Sequence, residues 1–227
     1  MDLPLFQGTS MTKLADIVGS TKFHFLKYPE GEVILREGDP CGHITFIING
    51  SVRVETVNRS GRFSVSHTLN APAVIWPEFL FGRVTECPGT VTALESVSVL
   101  KIAKADYISI LESDKVFLFN YINALSVNAQ KSIEGILALT DGDIDERIAF
   151  WISALTQPGS RDIKLTCRKR DLCTIFGSPR AAFNNALESM HQRGLIDYTS
   201  DELTVRDRGE LLALLNRNHE HDADRDL

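Results

Sequence analysis

The chain has 227 residues, enough for one large or two modest domains, and two is the better expectation. With 43% hydrophobic and 24% charged residues and no apolar run near the ~20 residues a bilayer crossing needs, it reads as globular and cytoplasmic, with no membrane role. The formal net charge of −6 argues against a chain coated for nonspecific nucleic-acid binding, although a mean charge hides local asymmetry.

The opening "MDLPLFQGTSMTK" lacks a basic region followed by a long apolar core, so no signal peptide is expected. From residue 21 to 102, "TKFHFLKY", "EVILRE", "HITFIINGSVRVETV", "RFSVSHTL" and "TVTALESVSVLKI" alternate or are β-branched, punctuated by Gly31, Gly38, Gly50, Gly61 and Gly82. Strands with turn signals at this spacing predict a sandwich or barrel. Four scattered cysteines, Cys41, Cys87, Cys167 and Cys173, show no metal-ligand spacing and are expected to be reduced structural thiols.

After Ala103 the period changes to helical, in "KADYISILES" and then in "DKVFLFNYINALSVNAQKSIEGILALT". Steps of four and three along the second segment give Leu118, Ile122, Leu125, Ala129, Ser132, Ile136 and Leu139, a heptad seam with one polar member. A dimer helix is expected; the competing reading is a helix packed on its own domain. Ser132 suits either register or a ligand. "TDGDID" breaks the pattern and places a hinge near residues 140 to 143, before a helix in "ERIAFWISALTQ".

In "TCRKRDLCTIFGSPRAAFNNALESMHQRGLI", a short helix over residues 169 to 176 meets Gly177, and Ser178 as N-cap with Pro179 as first helical residue starts the next. Helix, glycine turn, helix is the helix-turn-helix plan. The second helix buries Ala182, Phe183, Ala186, Leu187 and Met190, leaving Arg180, Ala181, Asn184 and Asn185 outward near its start. In this motif that end reaches major-groove base edges, where Arg pairs with guanine and Asn with adenine. Arg180, Asn184 and Asn185 are the base-contact candidates, and Lys169, Arg170 and Ser178 the phosphate-contact candidates. "GLIDYTSDELTVRD" supplies two short strands for a wing. From Lys164 to Arg193 six basic residues face two acidic ones, inside a negative protein. An ordinary helical hairpin with a solvated face is the competing reading.

With these residues in view, the chain resembles the Crp-Fnr family of bacterial transcription factors, named for the cyclic-AMP receptor protein and the fumarate-nitrate regulator. The resemblance runs from about residue 20 to 215, carried by "GEVILREGD", "ITFIINGSVRV", "VTALESVSVLKIAKADY", "DIDERIAFWISAL" and "RKRDLCTIFGSPRAAFNNALESMHQRGLI", in family order. It implies an α+β fold with an N-terminal jelly-roll-like β-roll over residues 1–113 and a dimerisation helix over 114–140. A winged helix-turn-helix over 141–217 follows, and the polar composition of the tail over 218–227 predicts disorder there. The resemblance also implies a homodimer, a two-fold DNA site, an effector-sensing roll and RNA polymerase as a partner.

Cyclic-nucleotide binders of the family carry Gly-Glu before a short helix and Arg-Ser or Arg-Thr a few residues on. Here Glu78 matches, Pro77 replaces Gly, and Cys87-Pro88 stand where Arg-Ser should be. A cyclic phosphate would lack its counter-charge, so the effector is expected not to be cyclic AMP. Arg83 in the same loop keeps a nucleotide or small anion open. Glu78, Arg83, Cys87, Thr90 and Ser132, the last aligned with a hydroxyl that reaches the ligand, are the candidate effector contacts.

No cysteine precedes Cys41, so the N-terminal iron-sulfur cluster of oxygen-sensing relatives is not expected. His24, His43 and His67 are conceivable haem ligands, but a lone His on a strand is more often a surface or satisfied residue, and haem is not expected. Arg180 matches many members, while Ala181 and Asn185 replace the receptor protein's Glu and Arg, so the half-site should differ. The reading is a sequence-specific regulator. Its rival is a ligand-binding module whose C-terminal domain contacts a protein. No nucleophile-base pair, phosphate loop or metal spacing supports an enzyme.

Overall fold

The computed structural model describes residues 3–137, 139–140 and 142–213. They cluster into two compact units, Met1–Val54 with Leu69–Ala129, and Glu55–Thr68 with Gln130–Leu227. The predicted tail, 218–227, lies outside the described residues. No described helix is long and apolar enough to cross a membrane.

The antiparallel strands of the N-terminal half are β1 (Phe23–Tyr28), β2 (Val33–Leu35), β3 (His43–Asn49), β4 (Ser51–Val57), β5 (Ser64–Asn70), β6 (Ala73–Ile75), β7 (Thr90–Ala93) and β8 (Val97–Ala103), all in the first unit except β4 after Val54 and β5 before Leu69, which belong to the second. One sheet runs β1-β8-β3-β6, and the other contains the order β5-β4-β7-β2. Each segment read as β is found, with β6 an addition. Alternation does the sorting: Val52 and Val54 are buried on β4 while Arg53 between them is exposed. Between β3 and β4, Gly50 takes φ +90°, and a Cβ there would stand 3.0 Å from the Ser96 carbonyl. Only glycine joins these strands so tightly.

A helix not anticipated from the sequence, α1 (Met11–Ser20), starts at Ser10, whose hydroxyl accepts from Lys13 N–H. The residues before it, Leu3, Leu5 and Phe6, are buried with Phe46, Leu100, Tyr107 and Phe117. Phe6 meets Phe46 and Phe117 edge-on at 5.3 and 4.9 Å between ring centres. A second cluster gathers Ile47, Val52, Val91, Val97 and Val99.

β8 leads into α2 (Lys104–Ser113) and α3 (Lys115–Leu137). Asp114 caps α3, its carboxylate accepting from the N–H groups of Val116 and Phe117 at 2.7 and 3.3 Å. Phe117 and Tyr121 are buried, whereas Leu118, Phe119 and Ile122 face outward.

The second unit holds the end of α3, then α4 (Ile144–Leu155), β9 (Arg161–Thr166), α5 (Lys169–Ile175), α6 (Arg180–Gln192), β10 (Asp197–Tyr198) and β11 (Glu202–Asp207). α4 opens with a capping box between Asp143 and Glu146. Gly135 of α3 lies against α4, where a Cβ would collide with that of Ala154. β9 pairs with β11 on one side and with β5 on the other. Val65 of β5 joins the core of Ile148, Ile152, Leu165, Phe176 and Phe183, and Phe63 packs on Trp151 at 5.4 Å.

Candidate nucleic-acid interface and sensor site

In the second unit α5 closes at Phe176, and Gly177 turns the chain at φ +57°. One expectation shifts here. Ser178 does not cap α6: its hydroxyl donates to the Phe176 carbonyl at 3.1 Å, closing the turn, and Pro179 occupies the cap position before Arg180. The first turn of α6 therefore has no side-chain cap and no acidic residue. Such a helix start presents free N–H groups to an anion.

Phe183, Leu187 and Met190 form the buried stripe of α6, while Arg180, Ala181 and Asn185 are exposed. Asn184, expected to point outward, is half-buried, with its Oδ1 enclosed and unbonded. It sits three residues before Leu187 and so borders the buried stripe. Lys169 opens α5 with its Nζ 4.3 Å from the centre of the Tyr198 ring on β10, which fixes that helix end to the wing. Arg170 is exposed, with its guanidinium 3.4 Å from the adjacent Asp171 carboxylate. The Arg147 guanidinium of α4 donates to the carbonyls of Leu139 and Phe176, bracing the turn from behind. Arg193, at the other end of α6, pairs with Asp145 at 3.1 Å.

In the first unit Glu78 stands in a single 3-10 turn, Pro77–Phe79, entered through Trp76 at φ +43°. The Tyr121 hydroxyl donates to the Pro77 carbonyl at 2.8 Å, and Asn128 Nδ2 donates to Glu78 Oε2 at 3.3 Å. Tyr121 and Asn128 are two helical turns apart on α3, so one helix face holds the turn at two points. Crowding by protein atoms pushes the Glu78 carboxyl up, against smaller lowering by its own backbone and by Asn128. Burial, and then the Glu78 charge, pushes the Tyr121 phenol up to about 12.

The other candidate contacts are spread out. Arg83 is exposed on the following loop, and Thr90 begins β7, its hydroxyl accepting from Glu37 N–H at 3.4 Å. Ser132 is exposed on the part of α3 that belongs to the second unit. Cys87 is buried and borders a cavity of about 170 Å³, with Cys41, His43, Trp76, Pro77 and Lys101 also in its wall. Lys101 donates to the Ile34 carbonyl at 3.3 Å and lines the cavity, where among the described residues no arginine joins it. Sequence reading passed over Asn128, Cys41 and Lys101. Only Asn128 had a usable signal, as a polar residue one turn before Ser132.

The His24 and His43 rings lie 6.1 Å apart, and His67 is buried on β5. Among the described residues no three His, Cys, Asp or Glu side chains gather as a metal ion would require.

A β-roll, a long helix and a winged helix-turn-helix define a DNA-binding transcription regulator with a small-molecule sensor domain. The cyclic nucleotide-binding domain model matches residues 25–114, and the Crp-like helix-turn-helix domain model matches residues 146–214. The chain belongs to the Crp-Fnr family. It is 24% identical over 192 residues to the cAMP-activated global transcriptional regulator Vfr of Pseudomonas aeruginosa, across 80% of this chain and 89% of the relative. With the cAMP-activated global transcriptional regulator CRP of Salmonella typhimurium it shares 23% over 189 residues, at the same coverages. The catabolite activator protein of Thermus thermophilus superposes with a TM-score of 0.50 and 16% identity, over 92% of this chain and 96% of that one, a likeness of fold.

Proposed function

We propose that this chain is a homodimeric, sequence-specific transcription regulator controlled by a small molecule, other than cyclic AMP, bound in the β-roll. The carrying observation is α6: uncapped, free of acid in its first turn, with Arg180 and Asn185 exposed and a wing beside it. Arg180, Asn184 and Asn185 would read bases; Lys169, Arg170 and the α6 start around Ser178 would hold phosphates. The roll over residues 1–113, the helix over 114–140 and the winged domain over 141–217 would be the working divisions. RNA polymerase would be the further protein partner.

The two relatives above are cAMP-activated by name, and the shared fold makes a nucleotide the first effector to consider. Against cyclic AMP stands the chemistry of the wall. In ungapped alignment back from Val91, Cys87 and Pro88 fall where the family's paired cation and hydroxyl would stand, and an unpaired buried phosphate is costly. Arg83 would have to swing in to replace them. An effector held through Glu78 and Asn128 would act on α3 directly, and it shifts the dimer only by binding the DNA-competent state more tightly.

The test is selection of duplexes from a random pool by purified protein, with and without cell extract, repeated with Arg180→Ala. The expected result is a two-fold symmetric site that the variant no longer selects. No enriched site under either condition would sink the reading and favour a module that contacts protein.

A further inference from the structure

Cys41 and Cys87 border the first unit's cavity from two different segments. Cys41 N–H donates to the Thr85 carbonyl and Cys87 N–H to the Asp39 carbonyl, both at 2.8 Å, and Gly38 N–H donates to the Cys87 carbonyl at 2.9 Å. Between them Pro40 and Glu86 form an antiparallel bridge. This clamp holds the two Sγ atoms 3.4 Å apart, in mutual hydrogen-bond contact. Both thiols are free, Cys41 half-buried and Cys87 fully buried.

A disulfide has S–S near ~2.05 Å, so closure needs a sulfur movement of roughly 1.4 Å, within reach of side-chain rotation. Gly42 beside Cys41 gives the backbone some freedom to follow. With no third ligand gathered at the pair among the described residues, it lacks what a structural metal site requires. The chemistry left to it is that of two sulfurs.

We propose that Cys41 and Cys87 are a reversible dithiol-disulfide pair, with Cys41 attacking, Cys87 resolving, and a hydroperoxide as oxidant. The Cys41 thiolate attacks one peroxide oxygen; the O–O bond breaks, leaving sulfenic acid on Cys41 and, after protonation, water or an alcohol. The Cys87 sulfur then attacks the Cys41 sulfur, the S–O bond breaks, and water leaves with the Cys87 proton. The peroxide gains two electrons and the two thiols lose two.

The roles follow from the surroundings. Cys41 reaches solvent, and the Cys87 hydrogen bond favours its ionised form, although burial still holds its pKa above the usual thiol value. Burial first, and then the Cys41 contact, pushes Cys87 up to about 12, so it stays protonated as donor. Oxidation is therefore slow near neutrality and accelerates with pH. The cross-link closes a span of 46 residues that includes the Glu78 turn. It joins two segments of the cavity wall, so the cavity's shape follows the redox state.

The experiment treats the full-length protein with hydrogen peroxide at about pH 7 and about pH 9, blocks free thiols by alkylation, and maps peptides by mass. The expected product is a Cys41-to-Cys87 cross-linked peptide short of two hydrogen atoms, reversed by dithiothreitol. It should form roughly 10-fold or more faster at the higher pH, following the thiolate fraction. It should be absent from Cys41→Ser and Cys87→Ser, with circular dichroism checking that both variants fold. Over-oxidised Cys41, or adducts on Cys173, with no cross-link in the folded protein would overturn the proposal, as would a rate indifferent to pH. The readout involves no DNA, so its failure is separate from failure of the regulator reading on which its significance rests.

Discussion

His67 is 5% exposed on β5, with neither ring nitrogen hydrogen-bonded. Its neighbour Arg208 is also buried and donates to the Ser153 carbonyl and hydroxyl at 3.2 and 2.7 Å. Burial, then the Arg208 charge, pushes the imidazole down to about 4 from 6.5. Because the folded-state pKa is depressed, the unfolded chain takes up the proton first as pH falls below 6.5. Stability from neutral His67 is complete above that value and is lost on the way down to about 4. At about pH 5 the loss should be on the order of 2 kcal/mol. Melting curves across this range should therefore fall more steeply for the wild type than for His67→Leu, which cannot be protonated. Parallel curves would show that the ring is solvated. A lone strand histidine is expected from sequence to be a surface or satisfied residue; His67 is neither, and nothing in the sequence shows that it lies beside an arginine.

Among elements, the crossing of α3 and α4 depends on one missing side chain. Gly135 lets the last turns of α3 approach Ala154, and neither helix backbone can yield easily inside a packed core. Gly135→Ala should lower stability by about 1–3 kcal/mol despite alanine's better helix propensity. Ala154→Gly in the same chain should recover much of the loss. Two losses that simply add in denaturant unfolding would refute the close approach. On the side proposed to face DNA, Lys169→Ala should weaken binding to all duplexes alike and reduce the salt slope by about 1, whereas Arg180→Ala should relax base preference. A Lys169→Ala variant with an unchanged slope would remove that residue from the phosphate contacts.

These elements differ in how far they could be read beforehand. The strands and the presence of helices α3, α5 and α6 followed from period and turn residues, because each is decided by its own sequence. The α6 cap did not, since whether the Ser178 hydroxyl serves the helix or the Phe176 carbonyl depends on the turn's geometry. Nor did the β5–β9 pairing, or the approach of Cys41 to Cys87. Both join segments distant in sequence, and a local period carries no information about such partners.

For the whole molecule the question is what covers α3. Phe119, Ile122, Ile133 and Ile136 are 67%, 48%, 58% and 67% exposed along it, a longer apolar row than a monomer ordinarily leaves in water. Ile122 and Ile136 belong to the same heptad seam as Ser132, the spacing at which a second copy of the helix would interlock. A two-fold dimer would present two α6 helices to half-sites about one helical turn apart, and each bound half would raise the effective concentration of the other. Ile122→Glu puts two like charges into that seam while leaving the buried Phe117 and Tyr121 face of α3 untouched. The variant should sediment as a monomer with an unchanged circular dichroism spectrum. Its affinity for a palindromic duplex should fall roughly 100-fold or more, while binding to an isolated half-site changes little. If the wild type itself sediments as a monomer and prefers a single half-site, the exposed row has another purpose and the two-fold model fails.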